Sequence, residues 1–274
     1  MTSKTHHPKH RIATLAAACL CCSAAFAAEK SADDWQYGVA IYAFFPHIGA
    51  DANFPAGNGA TIDVSARDLL DHLKFGGMFS ASAQKGRWGM FTDVIYLDVG
   101  ESMSNSRAIG AGSMPLPPGI TADGDFDLKG AAWTLAGSYR TVSTPDAMVD
   151  VFAGARLLDI KTELSWAFNQ PFGPFAGPFQ SGDVEIERHS WDGIVGAKGR
   201  LNFGRDGRWF VPWYADVGTG NSDLTWQAST GIGYAADWGD VFATWRYLHY
   251  DFGGNAKLEN LEFDGPGIGV AFHF

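Results

Sequence analysis

Apolar and polar positions alternate with period two along most of this chain. At its end, Ile268, Val270, Phe272 and Phe274 occupy one parity, and Gly267, Gly269, Ala271 and His273 the other. Successive side chains of a strand point to opposite faces, so this segment reads as a strand with one apolar face and one small or polar face. Tyr37, Val39, Ile41, Ala43 and Phe45 stand in the same way against Gln36, Gly38, Ala40 and Tyr42. Further on, Leu224, Trp226, Ala228, Thr230, Ile232 and Tyr234 oppose Thr225, Gln227, Ser229, Gly231 and Gly233, and Val241, Ala243, Trp245 and Tyr247 oppose Thr244 and Arg246. The pattern predicts ten strands, near 35–45, 75–85, 88–99, 126–140, 147–163, 185–203, 209–218, 223–236, 241–252 and 258–274. Each has at least the roughly 9–11 residues that cross a bilayer at a tilt.

The connections between these strands alternate in length. Gly86-Arg87, Thr141 to Asp146, Gly204 to Arg208 and Trp238 to Asp240 are short. The stretches 46–74, 100–125 and 164–184 are long, with smaller ones at 219–222 and 253–257. Both chain ends then fall on the side of the short turns, the asymmetry of short periplasmic turns and long external loops. Met114 to Gly119, with three prolines, is expected to stay out of any strand pairing, because proline lacks an amide donor. Val64 to Leu73 reads as a short helix over the barrel mouth, capped by Ser65, with Leu69, Leu70 and Leu73 on one face.

Residues 1–28 read as an export signal. Lys4, Lys9 and Arg11 precede an Ala-rich apolar run, and Ala25-Phe26-Ala27 is a small-residue cleavage site. The run is shorter than the roughly 20 residues of a spanning helix. The three cysteines, Cys19, Cys21 and Cys22, all lie inside it, so the remainder offers no disulfide, thiolate ligand or cysteine nucleophile. The signal holds three of the 20 Lys and Arg and none of the 30 Asp and Glu, which leaves 17 − 30 = −13 on residues 29–274. That balance argues against nucleic acid as a partner. No linker divides the remainder, so one domain is expected over 29–274.

A membrane barrel turns its apolar face outward. Aromatic residues at strand ends then form interfacial girdles. Trp88, Tyr96, Trp133, Tyr139, Trp191, Trp209, Trp213, Trp226, Tyr234, Trp245 and Phe274 fit that role. The opposite parity places Asp93, Asp150, Arg156, Asp192, Lys198, Arg200, Asp216 and Arg246 in the lumen. Opposite charges confined there are expected to pair. They form either a network that fills the bore or the lining of a narrow water path. The expected fold is all-β: a closed antiparallel up-and-down transmembrane barrel of ten strands, eight if one pair is loop, twelve if a long loop splits.

Leu69 to Phe75, followed by Gly86 to Asp98, resembles a group of proteobacterial outer-membrane β-barrel proteins of unassigned function. Asp150 to Arg156 and Trp245 to Asp251 look like the same group. The plan is similar to the transmembrane barrel of OmpA-like proteins. The resemblance implies an outer-membrane location and insertion by the barrel-assembly machinery, served by periplasmic chaperones, with Phe272 and Phe274 as the C-terminal assembly signal. It implies no particular activity.

Chemistry is thinly encoded. His72, His189 beside Ser190, and His249 near Asp251 are the histidines to consider, but adjacent strand residues face opposite ways and no G-x-S-x-G or H-E-x-x-H occurs. The histidines show no metal-ligand spacing, so neither a metal nor another cofactor is expected. Asp63, Asp68, Asp71, Glu101, Asp123, Asp125, Asp127, Asp183, Glu185 and Glu187 crowd the long-loop end as a solvated acidic rim, or as a site of divalent-cation bridging to lipopolysaccharide. The leading reading is a monomeric, non-enzymatic outer-membrane barrel with a structural or surface role, or a narrow passive channel. A lipid- or peptide-acting hydrolase and a soluble periplasmic lipocalin-like barrel stand as alternatives. The protein is expected in the outer-membrane fraction, and its gel migration should change on boiling; recovery in the soluble periplasmic fraction would select the lipocalin-like alternative.

Overall fold

The computed structural model describes residues 34–53, 59–64, 73–106, 108–109, 114–115, 122–168, 181–254 and 258–274. The signal expected at the N-terminus lies outside them. So does the expected helix, apart from Val64 and Leu73, which are strand residues. The described strands are β1 (Gln36–Phe44), β2 (His47–Asn53), β3 (Gly59–Val64), β4 (Leu73–Lys85), β5 (Trp88–Ser106), β6 (Ala108–Ile109), β7 (Met114–Pro115), β8 (Ala122–Ser143), β9 (Ala147–Phe168), β10 (Ser181–Phe203), β11 (Trp209–Gly220), β12 (Leu224–Ala236), β13 (Gly239–Asp251) and β14 (Leu258–His273).

Ten of these form one antiparallel sheet in the order β1, β4, β5, β8, β9, β10, β11, β12, β13, β14. The sheet closes because β1 pairs on both sides: Ile41 stands opposite Phe79 of β4 and opposite Val270 of β14. The ten-stranded closed barrel is the fold that the alternation predicts. β2 continues the line of β1 after a break at Phe45-Pro46 and stays paired with β14, while β3 folds back along β2 as an extra strand. The start of β1, the end of β14 and the Gly86-Arg87 turn share one end of the barrel. Gly86, at φ 57°, makes the β4–β5 turn in a conformation that costs glycine little.

Two expectations about the long loops are corrected. Both ends of 100–125 and of 164–184 are strand, since β5, β8, β9 and β10 run to 19–23 residues. Twenty-two residues span about 70 Å, well beyond a bilayer. The strands continue because each still finds a partner: Glu163 stands opposite both Asp127 and Glu185. Met114–Pro115 is also paired, with Ala108–Ile109. A two-residue ladder is short enough for proline to sit at its edge, where its missing donor breaks no longer run.

The outer surface shows where these strands leave the apolar band. At the turn end, Trp88 packs edge-on to Tyr139 at 5.0 Å and Trp209 to Tyr234 at 5.1 Å. Toward the other end, Trp133 and Trp191 pack across β9 at the level of Leu157, and Trp226 stacks on Tyr247 at 4.7 Å. Between the two rings the exposed side chains include Ile41, Phe79, Leu135, Val195, Ile232 and Ile268. Above the upper ring the same face of β9 and β10 carries Asp159, Lys161, Glu163, Glu185, Glu187 and His189.

The interior reverses in step. Arg156 lies inside β9 at 1% exposure, yet two residues higher Leu158 is equally enclosed, followed by Ile160. The lumen between the rings therefore mixes charges with the buried side chains of Phe91, Ala136, Phe152 and Ile194, and above the rings it is mainly apolar. Water outside the wall and hydrocarbon outside the wall demand opposite interiors. Val195→Arg, between the rings, is expected to cost about 2–4 kcal/mol of unfolding free energy in phospholipid vesicles. His189→Arg, above the upper ring, should leave the urea midpoint nearly unchanged. Equal effects would misplace the boundary.

Candidate functional site: the barrel bore

The lumen is built from inward positions of alternate strand residues, and its charges meet in pairs at successive levels. Nearest the turn end, the Arg200 guanidinium pairs with Asp240, donates to Asn202 Oδ1 at 2.8 Å and lies 3.6 Å over the Phe210 ring. That ring fills the space left by Gly233, where a methyl group would collide with it. Arg140 forks onto Asp150 at 2.8 and 3.2 Å. The Lys198 ammonium rests 3.8 Å over the Phe91 ring.

At mid-barrel, Asp93 accepts from the Tyr42 hydroxyl at 2.7 Å and from Arg246 Nη1 at 3.3 Å, and Arg246 also donates to Tyr42 at 3.0 Å. Arg156 donates from Nη1 to Asp216 at 3.1 Å and from Nη2 to its other oxygen. Its Nε bonds Thr134 at 3.2 Å, and Nη2 reaches Tyr214 at 3.4 Å. Asp192 is held by neutral donors, the Ser190 hydroxyl at 3.0 Å and the Ser222 amide at 2.9 Å.

Of the eight charges that alternation selects, two pairs thus meet each other: Asp93 with Arg246 and Arg156 with Asp216. Asp150 and Arg200 bond instead to Arg140 and Asp240, which were not selected because they lie where strands meet turns. Parity would have found both. Arg140 continues the inward series of Thr134, Ala136 and Ser138, and Asp240 that of Phe242, Thr244 and Arg246. Among the described residues Lys198 and Asp192 have no ion-pair partner, and they stand six residues apart on one strand.

A space of about 130 Å³ with a mixed lining remains beside Tyr42, Ser80, Asp93, Phe242, Thr244 and Arg246. It has room for about four waters. Above it the bore closes. Ile48, Val99, Leu158, Ile160, Leu248, Tyr250, Phe252, Leu258 and Leu261 form one buried cluster, continued by Phe44, Met78, Ile95 and Leu97. The space left among them is about 30 Å³, the share of a single water. Arg188 lies 4.3 Å over Phe252 at the top of this cluster.

The histidines face elsewhere. His189 is on the outer surface, 3.4 Å from Asp159, while Ser190 is fully buried on the inner face. His249 is outward beside Trp226, 3.1 Å from Glu262, and Asp251 instead accepts from the Gly253 amide. His72 lies outside the described residues. Of the expected acidic rim, Glu185 and Glu187 share Lys161 with Glu163, at 2.6, 3.5 and 2.9 Å. Bonds to Glu163 and Glu185 hold the Lys161 ammonium above its ordinary range, and its bond to Lys161 pulls the Glu185 carboxyl down. Among the described residues no three His, Cys, Asp or Glu converge on a metal position. Phe272 lies on the outer wall against Trp238, and Phe274 is exposed beyond the last strand.

No protein-family model matches the chain, and no curated protein does. Among solved structures it is similar to the outer membrane protease OmpT of Escherichia coli, at TM-score 0.50 and 9% identity over 88% of this chain and 97% of that one. It is also similar to the translocator domain of the autotransporter NalP of Neisseria meningitidis, at TM-score 0.42 and 13% identity over 88% of this chain and 89% of that one. The likeness to OmpT shows the fold, an outer-membrane type of closed antiparallel barrel, and nothing of the activity.

Removing one member of a buried pair leaves a bare charge, which typically costs 3–5 kcal/mol. Asp216→Ala is therefore expected to lower stability by about that much in urea titrations. Arg156→Met combined with Asp216→Leu should restore much of it. A single variant as stable as the parent would show that the pair is solvated.

Proposed function

We propose that this chain is a monomeric outer-membrane barrel with a closed bore, acting as a structural or surface protein and not as a channel or an enzyme. The observation that carries the reading is the apolar cluster around Leu158, Leu248 and Tyr250, which occupies the outer half of the lumen in line with the ion pairs below. A water path would need a continuous polar lining. Here the space beside Arg246 ends at Phe44, which lines both that space and the apolar gap.

The enzyme alternative asks for a nucleophile or base with an oriented partner. The described histidine–carboxylate pairs stand on the outer wall or at the turn end. Ser190 is turned away from His189 and bonds Asp192. The soluble-barrel alternative conflicts with the exposed aliphatic band between two aromatic rings, whose area would be costly in water. In this reading the surroundings are outer-membrane lipid and lipopolysaccharide. The barrel-assembly machinery and periplasmic chaperones act on the chain during insertion, and no cofactor takes part.

Purified, refolded protein in planar bilayers is expected to give no stepwise conductance across a range of salt concentrations. Steady open-channel current would overturn the closed-bore reading in favour of a charge-lined pore.

A further inference from the structure

β11 leaves β10 early. Their last paired residues are Asp192 and Gly220, after which the chain turns through Asn221 into β12. β10 extends a further eleven residues, Ser181 to Trp191, paired there with β9 alone among the described residues. In an antiparallel strand the N–H and C=O of one residue point the same way, and successive residues alternate sides. The Trp191 carbonyl accepts from the Asn221 amide at 3.0 Å and so faces the β11 side. Asn202, of opposite parity, donates to Asp146 on the β9 side at 2.8 Å. Asp183, Glu185, Glu187 and His189 therefore direct their amides and carbonyls away from β9. Among the described residues no strand takes them up.

Exposed edges are usually short, or blunted by charged side chains, lysine above all, by proline or by a bulge. This one has neither proline nor lysine and its register against β9 runs without a shift; the charges that guard it are Arg188 and the acidic Glu185 and Glu187, which repel a like-charged edge and leave a basic strand as the one that fits. The exposed side chains beside the free amides are Glu185 and Glu187, at 54% and 59% exposure. Lys161 alone answers them and Glu163 together, and Asp159 stands beside His189. The outer face of the edge is left negative.

We propose that this edge of β10 is a docking surface for an extended segment of another polypeptide, added as an antiparallel strand with Lys or Arg at alternate positions against Glu185 and Glu187. Backbone pairing supplies the affinity and the cross-strand charge the register. A second copy pairing edge to edge would set Glu185 and Glu187 against their own kind, which is unfavourable. The proposal adds a surface to the closed-barrel reading. The experiment below reads the edge, whereas conductance reads the interior, so each can fail alone.

A labelled nonapeptide alternating Lys and Val is titrated with the refolded full chain in zwitterionic micelles and followed by fluorescence anisotropy. Saturable binding is expected. Because directly opposed residues of a hydrogen-bonded pair exchange both bonds, N-methylation of the Lys amides should weaken binding at least tenfold. N-methylation of the Val amides should leave it unchanged. The double variant Glu185→Lys/Glu187→Lys, shown to be folded by its heat-modifiable migration, should transfer the preference to a Glu–Val peptide. Indifference to both methylations would reduce the effect to general electrostatics, and equal loss on both would remove the predicted strand pairing; either overturns the proposal. So would the absence of saturable binding, or self-association of the protein through this edge in sedimentation.

Discussion

The hydrogen bonds between β1 and β14 are the constraint on which everything else rests. In hydrocarbon an unpaired amide or carbonyl costs several kcal/mol, so a sheet can stand in a bilayer only if its first and last strands meet. Here Gly38 to Phe44 pair with Gly267 to His273, and Gln36 to Ile41 pair with β4 on the other side. Once the cylinder is closed, each strand has one face for lipid and one for the bore, and the side-chain alternation has no further freedom. Above the apolar band that demand lapses. The sheet is then free to end unevenly, and β10 keeps an open edge where β11 stops.

Closure also decides how charge is accommodated. A ten-stranded barrel is narrow enough for side chains from opposite walls to touch. Arg156 on β9 reaches Asp216 on β11, and Arg246 on β13 reaches Asp93 on β5. The second pair crosses the bore and the first bridges the width of β10, whereas Arg140 and Asp150 are close neighbours on adjacent strands. Such pairs are weak evidence for stability in themselves, because desolvation offsets much of their attraction. Their effect is to hold the walls in one arrangement and to occupy space that water would otherwise take. The apolar cluster above completes the filling with no charge at all.

Much of the architecture was legible because the period-two pattern is local. Each strand announces itself in about ten residues, and the turn at Gly86-Arg87 is readable without knowledge of the rest. The errors arose where the pattern persists but its meaning changes. Around Leu157 and Leu158 the apolar parity of β9 switches from the outer face to the inner one. A reading that keeps one parity for the lipid side treats the stretch beyond as loop, which is why 100–125 and 164–184 were expected to lack strands. Arg140 and Asp240 were passed over for a related reason. They sit at strand ends, where a turn and a strand look alike in sequence.

The sequence by itself determined the alternation of the strands and which end carries the short turns, and narrowed their number to eight, ten or twelve, because these follow from covalent geometry and from the identity of neighbouring residues. It did not determine which charge meets which, how far the strands rise above the membrane band, or where the bore is blocked. Those depend on residues as distant as Tyr42 and Arg246, which come together only when the cylinder closes. Register and curvature, summed over ten strands, set their separation, and no local stretch of chain contains that sum.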